Sequence, residues 1–215
     1  MNSHILYPGD KIVIASHNTG KIQEISALLA PYNIETTSSR DLDLPVPEET
    51  GSTFIENAVI KACAAQAATG LPSLADDSGL EVEGLDGAPG VYSADWSGPK
   101  RDFASAMRRV REELVNRGRW LYEKPAANFI STIVISWVDG TLKSYEGKTY
   151  GCLVWPPRGD LGYGYDPIFQ PDGYNKTFAE MHPAENIELK TECKAVLSHR
   201  SRALELFINE CISKV

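Results

Sequence analysis

Residues 11–29 read KIVIASHNTGKIQEISALL, and this stretch decides the fold class. Lys11–Ser16 is a short β-branched run, typical of a buried strand. Asn18 follows it and is a good helix N-cap. An apolar stripe at helical spacing then runs through Ile22, Ile25, Leu28 and Leu29, and Pro31 predicts its end. The chain therefore opens with strand, turn and helix, and the turn lies where open α/β sheets bind ligands.

Three more helices are indicated further along the chain. Thr53 and Glu56 have the spacing of a capping box, which predicts a helix that continues to about Thr69. Phe103–Val115 has an apolar face opposite Arg and Glu side chains, as an amphipathic helix does. A last helix is predicted after Ser198, its N-cap, from a stripe formed by Leu204, Phe207, Ile208, Cys211 and Ile212.

Strands are predicted between these helices. Ser73–Asp76 is a brief strand, and Phe129–Val138 is the longest strand candidate. Asp139-Gly140 is a strong hairpin signal that predicts a return strand over Thr141–Glu146, and Gly151–Trp155 is a further candidate. Strands that alternate with helices predict an α/β fold, with a mixed sheet and helices on its faces.

Three segments are predicted to lack regular strands or helices. Residues 38–52 are polar and contain proline, and residues 156–175 are dense in Gly, Pro, Tyr and Asp. Gly79–Gly90 carries four glycines and a proline, which indicates a hairpin or a loop. Loops of this kind often carry binding residues, so each is a candidate part of a site.

Length and charge exclude several classes of protein. The chain has 215 residues, enough for one globular domain, or one domain with two lobes around a cleft. Its net charge of −8 argues against non-specific nucleic-acid binding. No apolar run reaches the roughly 18 residues of a membrane span, and the first residues lack the pattern of a signal peptide. We therefore expect a cytoplasmic protein with no nucleic-acid or membrane partner.

The four cysteines argue against a zinc site. They show neither CxxC spacing nor a matching pair of histidines, and they occur at Cys63, Cys152, Cys193 and Cys211. We expect reduced thiols in or near the core.

The turn Ser16–Lys21 (SHNTGK) is the first candidate site. A loop that leads into a helix N-terminus presents backbone N–H groups, which favour a phosphate. Ser16, Asn18 and Lys21 add side-chain donors, while Gly20 lets the backbone approach a ligand. The spacing is not that of a Walker P-loop. An ordinary capped turn with a solvated lysine would look the same, so this motif alone leaves both interpretations open.

Two acidic motifs form the second candidate site. Glu48-Glu49 lies in a predicted loop, and Asp76-Asp77-Ser78-Gly79 follows a predicted strand. Magnesium prefers oxygen ligands and usually binds through one or two carboxylates plus substrate phosphates. One aspartate of such a pair can hold the metal while its neighbour accepts a proton from water. Solvated aspartates are also common in turns, so this motif too has an ordinary alternative.

Gly159–Phe169 (GDLGYGYDPIF) is the third candidate. Glycines let the backbone approach a planar ligand, and a tyrosine face can stack on a base for roughly 1–3 kcal/mol. Tyrosines that only pack on the body of the protein would give the same pattern.

Lys194–Arg202 (KAVLSHRSR) is the fourth candidate. Its donors Lys194, His199 and Arg200 gather at the start of the last helix, where a basic group opposes the macrodipole. Arg and His can donate to a purine 6-oxo group, and Lys can bind a phosphate. A solvated basic helix end is the alternative.

Taken together, these motifs resemble the inosine triphosphate pyrophosphatases, also called dITP/XTP pyrophosphatases. The resemblance covers nearly the whole chain in order. It is carried by IASHNTGKIQEI (14–25), EETGSTFIENAVIKA (48–62), LADDSGLEVEGLDGAPGVYSA (74–94), GYGYDPIF (162–169), TFAEM (177–181) and KAVLSHRSRAL (194–204).

The resemblance implies a fold, an activity and an assembly. The fold is α/β, with a long mixed central β-sheet flanked by helices and two lobes around a substrate cleft, in a single domain over residues 1–215. The activity is magnesium-dependent hydrolysis of non-standard purine nucleoside triphosphates (ITP, dITP and XTP) to the monophosphate and pyrophosphate. The assembly is a homodimer.

The resemblance also implies roles for individual residues. Contacts to the triphosphate come from Ser16, Asn18, Lys21 and Lys61. Glu49 and Asp77 hold Mg²⁺ with support from Asp76, and Asp77 also accepts the proton of the attacking water. Ser78 touches substrate. The base and sugar are enclosed by Tyr163, Gly164, Tyr165, Asp166, Lys194, His199 and Arg200. Tyr163 stands where the family usually has phenylalanine, and we expect stacking to survive the added hydroxyl.

Two other functions are compatible with the same residues. A metal-dependent phosphatase or nuclease could use the same acids, and would release orthophosphate directly if it were a phosphatase. A nucleotide-binding regulator without turnover is the other alternative. The presence of Lys21, Glu49, Asp77 and Lys194 together argues against that regulator.

Overall fold

The structure, a computed structural model, describes residues 4–120, 124–181 and 198–213. Six strands form one sheet in the order β2-β1-β3-β4-β5-β6. The strands are β1 (Lys11–Ile14), β2 (Glu35–Ser38), β3 (Ser73–Val82), β4 (Ala126–Ser136), β5 (Leu142–Leu153) and β6 (Phe169–Pro171). Strand β1 pairs in parallel with β2 and β3, whereas β5 and β6 pair antiparallel. The predicted mixed sheet of an α/β fold is therefore confirmed.

Four α-helices lie within the described ranges. They are α1 (Thr19–Leu29), α2 (Phe54–Thr69), α3 (Phe103–Asn116) and α4 (His199–Cys211). Their bounds follow the predictions closely because local capping signals set them. Thr53 and Glu56 form the predicted capping box of α2. Across the described residues, no helix is long and apolar enough to cross a membrane.

The pairing register between β1 and β3 places the end of β1 close to Asp76 and Asp77 of β3. Val13 pairs with Ser73 and Ile14 with Leu74, and the Ala15 N–H donates to the Leu74 carbonyl at 2.8 Å. Successive residues of a strand point to opposite faces, so Asp76 and Asp77 leave β3 in opposite directions. The turn after β1 therefore runs alongside two carboxylates that have different surroundings.

The chain divides into two compact units. The first comprises Met1–Asp77, Ser131–Gly147 and Arg200–Val215, and the second comprises Ser78–Ile130 and Lys148–His199.

Each unit has its own apolar core. In the first unit, α1 and α4 contribute Ile25, Leu29, Leu204 and Phe207 to one cluster, and the alanines of α2 pack against Val13 and Val134 in another. In the second unit, Val110 and Leu114 of α3 pack with Phe129, Phe169 and Phe178. Burial of these side chains, at about 1.5–3 kcal/mol each, supplies the main stabilisation of each unit.

Of the two predictions for Gly79–Gly90, a hairpin or a loop, the loop is wrong for the first four residues, and the antiparallel pairing agrees with the hairpin. Strand β3 continues through Gly79 to Val82, and Glu81 then forms an antiparallel bridge with Pro89. Pairing within the sheet outweighs the weak intrinsic preference of glycine for extended backbone.

Three further strands, β2, β5 and β6, differ from the prediction. Strand β5 runs unbroken from Leu142 to Leu153, whereas the prediction had two strands separated by residues 147–150. A Cβ on Gly151 would lie 2.3 Å from the Gln170 carbonyl oxygen, so this glycine marks the close approach of β6. Strands β2 and β6 were not predicted, because runs of three or four residues carry too little periodicity.

Candidate active site

The turn between β1 and α1 is held by its own side chains. The Ser16 hydroxyl accepts a hydrogen bond from the Asn18 N–H at 3.1 Å. The Asn18 side chain in turn accepts from the Lys21 N–H at 3.2 Å, which confirms Asn18 as the N-cap of α1. The first N–H groups of a helix have no partner within it, so this turn presents donors suited to an anion.

Asp76 is a buried carboxylate between two cations. It is 3% exposed, and its Oδ2 lies 2.7 Å from Lys21 Nζ and 3.2 Å from an Arg200 nitrogen. Its Oδ1 accepts a hydrogen bond from the Ser131 hydroxyl at 2.5 Å. Burial alone would raise the pKa of Asp76, but Arg200 and Lys21 hold it well below the ordinary value. Asp76 is therefore a fixed negative charge.

Lys21 and Arg200 respond differently to this environment. Burial lowers the pKa of Lys21, and the Asp76 carboxylate offsets that effect only in part. Burial also acts to lower the pKa of Arg200, but Asp76 and Glu24 more than compensate and raise it. Glu24 Oε2 lies 2.5 Å from an Arg200 nitrogen, so α1 and α4 are joined through this guanidinium.

Asp77 and Glu49 share one cation. Lys61 Nζ, from α2, lies 2.7 Å from Asp77 Oδ1 and 3.4 Å from Glu49 Oε1. Burial raises the pKa of Asp77, and Lys61 opposes that shift. For Lys61 itself, burial acts to lower the pKa, but Asp77 and Glu49 outweigh it and the pKa is raised. We call Lys21, Glu24, Glu49, Lys61, Asp76, Asp77 and Arg200 the charged cluster; all belong to the first unit.

The charged cluster suits a small hard cation in one place. Glu49 and Asp77 already converge on a single ammonium, so both carboxylates can reach one ion. Both oxygens of Asp76, by contrast, accept from neighbouring side chains. Within the described ranges, no three His, Cys, Asp or Glu side chains group as a complete metal cage. A two-carboxylate site fits Mg²⁺, which takes its remaining ligands from water and substrate phosphates.

The second unit carries the aromatic loop, which we define as residues 163–166. The Asp166 carboxylate accepts from the Tyr163 N–H at 2.7 Å, and Gly164 has φ +69°. The Tyr165 hydroxyl donates to the Ser93 carbonyl at 2.9 Å, and that ring is buried. Burial raises the pKa of Tyr165 above its ordinary range, so its phenol stays neutral. Tyr163 differs, because its side chain is 60% exposed.

The remaining predicted site residues are distributed as follows. His199 begins α4, directly after the predicted N-cap Ser198, and its ring stacks on Phe129 with centroids 5.1 Å apart. Ser78 follows Asp77 on β3 and is half-buried. Lys194 lies outside the described residues.

The structure brings together part of the predicted site. The lysines and acids of the first unit converge as the charged cluster, and Ser16 and Asn18 form the turn before Lys21. Tyr163, Gly164, Tyr165, Asp166 and His199 belong to the second unit. Their convergence with the charged cluster, in one cleft, stays a prediction.

Two members of the site were not found from the sequence. Glu24 was missed although it lies one helical turn after Lys21, a spacing that places both side chains on one face of α1. Ser131 was missed because it lies in an apolar strand, where a lone hydroxyl is the only signal of a buried polar partner. Each contacts a residue distant in sequence, so neither role follows from local pattern.

Comparisons with known proteins show which family this chain is similar to. The model of the Ham1 family matches residues 12–210. The dITP/XTP pyrophosphatase of Brucella melitensis is 49% identical over 208 residues, which cover 95% of this chain and 94% of that protein. The protein of the same name from Bartonella quintana is 50% identical and covers 94% of this chain and 96% of its own.

Solved structures give the same result. A HAM1 protein from Coxiella burnetii superimposes with a TM-score of 0.82 at 37% identity, covering 93% of this chain and 97% of that chain. The nucleoside-triphosphatase / dITP/XTP pyrophosphatase of Mycobacterium abscessus superimposes with a TM-score of 0.71, also at 37% identity, covering 92% and 98%.

Proposed function

The chain belongs to the Ham1 family, and from this premise we propose that it hydrolyses non-standard purine nucleoside triphosphates to the monophosphate and pyrophosphate. The proposed substrates are ITP, dITP and XTP, and the proposed cofactor is Mg²⁺. Relatives named for dITP and XTP share about half of their residues with this chain over nearly its full length.

The observation that carries the proposal is the charged cluster. Two lysines, Lys21 and Lys61, lie beside two carboxylates that can share a cation, Glu49 and Asp77. Phosphoryl chemistry needs this combination, because its catalysis consists largely of positioning and of charge stabilisation on the phosphate oxygens.

Glu49 and Asp77 would hold the metal ion, which supplies positive charge to the phosphates when bound. Asp77 would also accept the proton of the attacking water, at its carboxylate. Asp76 would support the metal site, and it would hold Lys21 and Arg200 in place.

Positive charge and backbone donors would bind the triphosphate. Lys21 and Lys61 would offset negative charge on the phosphates, while Ser16 and Asn18 order the turn at the N-terminus of α1. Attack would fall on the α-phosphorus, so pyrophosphate leaves. This bond cleavage distinguishes the proposed reaction from stepwise removal of orthophosphate.

Hydrogen-bond donors of the site would select the purine base of the substrate. Tyr163 would stack on the purine, with Ser78, Gly164, Tyr165, Asp166 and Lys194 completing contacts to base and sugar. His199 and Arg200 would donate to the 6-oxo group of hypoxanthine or xanthine. Adenine presents an amino donor there, so the N–H groups of His199 and Arg200 would face a donor instead of an acceptor, which disfavours adenine.

The proposal extends to assembly and location. We expect a homodimer in the cytoplasm, where deaminated purine nucleotides arise in the nucleotide pool. Size-exclusion chromatography with light scattering tests the assembly directly, and a monomer mass would contradict it.

A panel of nucleoside triphosphates tests the function. We expect ITP, dITP and XTP to give pyrophosphate in the presence of Mg²⁺, ATP to react poorly, and EDTA to abolish turnover. Phosphate should appear only after inorganic pyrophosphatase is added. Direct release of orthophosphate, or equal efficiency on ATP and ITP, would contradict the proposal.

A further inference from the structure

Phe103, the first residue of α3, contacts three successive residues of the aromatic loop. Its ring centroid lies 4.8 Å from that of Tyr163 and 5.6 Å from that of Tyr165, and both pairs are edge-to-face, at 68° and 82°. A Cβ built on Gly164 would lie 3.6 Å from Phe103 Cε1, an ordinary van der Waals contact. The phenyl ring therefore lies directly against Gly164.

Tyr163 depends on this contact more than Tyr165 does. The Tyr165 ring is buried and its hydroxyl is bonded to Ser93. The Tyr163 backbone is held by Asp166, but its side chain is mostly exposed. Among the described residues, Phe103 is the ring that packs against it.

We propose that Phe103 is a positioning residue that orients the Tyr163 ring to stack on the purine base. This inference rests on the proposed function, because it assigns Phe103 to the same substrate. Phe103 itself does not touch the base; it acts through Tyr163.

The physical reason is preorganisation. An exposed tyrosine samples several χ1 rotamers, and only some present a ring face to a ligand. An edge-to-face partner restricts the ring before substrate arrives, so less conformational entropy is lost on binding. Stacking needs only a π face and is largely independent of base identity. Loss of Phe103 should therefore weaken the binding of every purine substrate by the same factor.

The test is the kinetics of Phe103→Leu. We expect KM for ITP to rise about 3- to 10-fold, the scale of one aromatic pair, while kcat stays within about twofold. KM for XTP and for ATP should rise by the same factor, so that discrimination between bases is unchanged. Phe103→Tyr restores an aromatic ring and should return KM to near the wild-type value.

A matched control separates positioning from general loss of stability. Val110→Ala removes a buried side chain from the same helix and the same core, but Val110 has no part in the aromatic loop. It should lower the free energy of unfolding by about 0.5–2 kcal/mol and leave KM unchanged. If Phe103→Leu does not fold, Phe103→Met, an unbranched side chain that fills irregular space, takes its place.

A double-mutant cycle tests whether Phe103 acts through Tyr163. In a Tyr163→Leu background, Phe103→Leu should raise KM no further, because the ring it positions has gone. Independent, multiplicative effects would overturn the inference, as would an unchanged KM in folded Phe103→Leu. Failure of the proposed function would be seen in a different result: wild-type protein would form no pyrophosphate from ITP.

Discussion

The charged cluster of the first unit has a buried centre, formed by Asp76, Asp77 and Arg200, whereas the aromatic loop of the second unit presents an exposed ring. Asp76 is 3% exposed and Tyr163 is 60% exposed. In the cluster, each charge is compensated by another charge a few ångströms away. In the loop, Tyr163 is held by two hydrogen bonds between its backbone and Asp166 and by a ring contact with Phe103.

This difference has an energetic cause. Buried charges cost several kcal/mol unless they are paired, so a site that works on phosphates must fix its charges through dense mutual contacts. An aromatic side chain that stacks on a base needs little more than an accessible ring face. It must therefore stay exposed until a base covers it. Changes in the cluster should therefore have larger effects than changes in the loop.

The largest effect is expected for Asp76→Asn. This change removes the carboxylate charge that faces Lys21 and Arg200 and leaves two buried cations undercompensated. Breaking a buried pair of this kind costs about 3–5 kcal/mol. We expect that loss in the free energy of unfolding, measured by urea denaturation. Ser131→Ala, which removes only a hydroxyl donor to the same carboxylate, should cost only about 1 kcal/mol. Equal losses in the two variants would show that charge compensation is not the cause.

The second largest effect is expected for Asp77→Asn, and it should appear in the catalytic rate. This change keeps the shape of the side chain but removes the proton acceptor, so kcat for ITP should fall by at least about 100-fold. Circular dichroism and urea denaturation check that the fold is retained. Asp86→Asn, at an exposed carboxylate in the second unit, is the control and should keep wild-type kcat. Near-wild-type hydrolysis by folded Asp77→Asn would remove Asp77 from this role.

Tyr163→Leu should have a smaller effect, and mainly on KM. Loss of one base stack costs about 1–3 kcal/mol, and a cost at the lower end, about 1.4 kcal/mol, corresponds to a rise in KM for ITP of about tenfold. Tyr163→Phe keeps the ring and should behave as wild type. A large fall in kcat with unchanged KM would assign Tyr163 to chemistry and would break the contrast between cluster and loop.

The smallest effect is expected for Asp139→Asn, which changes an exposed carboxylate. The Thr141 N–H and His4 lower the pKa of Asp139 to about 2. A lowered pKa stabilises the folded state above the unfolded value of about 3.9, and this contribution is lost as pH falls through the folded value. Asp139→Asn should therefore lower Tm slightly at pH 5 to 7, and the difference from wild type should shrink between about pH 4 and pH 2. A difference that grows on acidification would contradict this pairing.

Much of the fold was predictable because its signals are local. Capping residues Asn18 and Thr53 set the starts of α1 and α2, and the hairpin signal Asp139-Gly140 marks the turn between β4 and β5. The extension of β3 beyond Asp76 was not predictable, because Gly79 is compatible with a strand only once neighbouring strands pair with it.

Most members of the charged cluster were candidates from the sequence, but Glu24 was missed and the pairings were not predictable. The motifs identified Lys21, Lys61 and Asp77 as functional candidates, since their residue types suit phosphate and metal chemistry. Which cation faces which carboxylate was not predictable. Lys61 pairs with Asp77 rather than Asp76 because alternation along β3 sends the two aspartates to opposite faces, where different elements pack.

The sequence alone determined the α/β class, the helix starts and the candidate residues for binding a triphosphate, because each depends on neighbours within a few positions. Tertiary structure alone decided that Asp76 is a buried charge centre while Asp77 shares a cation with Glu49. It also decided that Phe103 lies against Tyr163. The physical reason is that burial and charge compensation depend on groups that lie far apart in the chain and meet only when it folds.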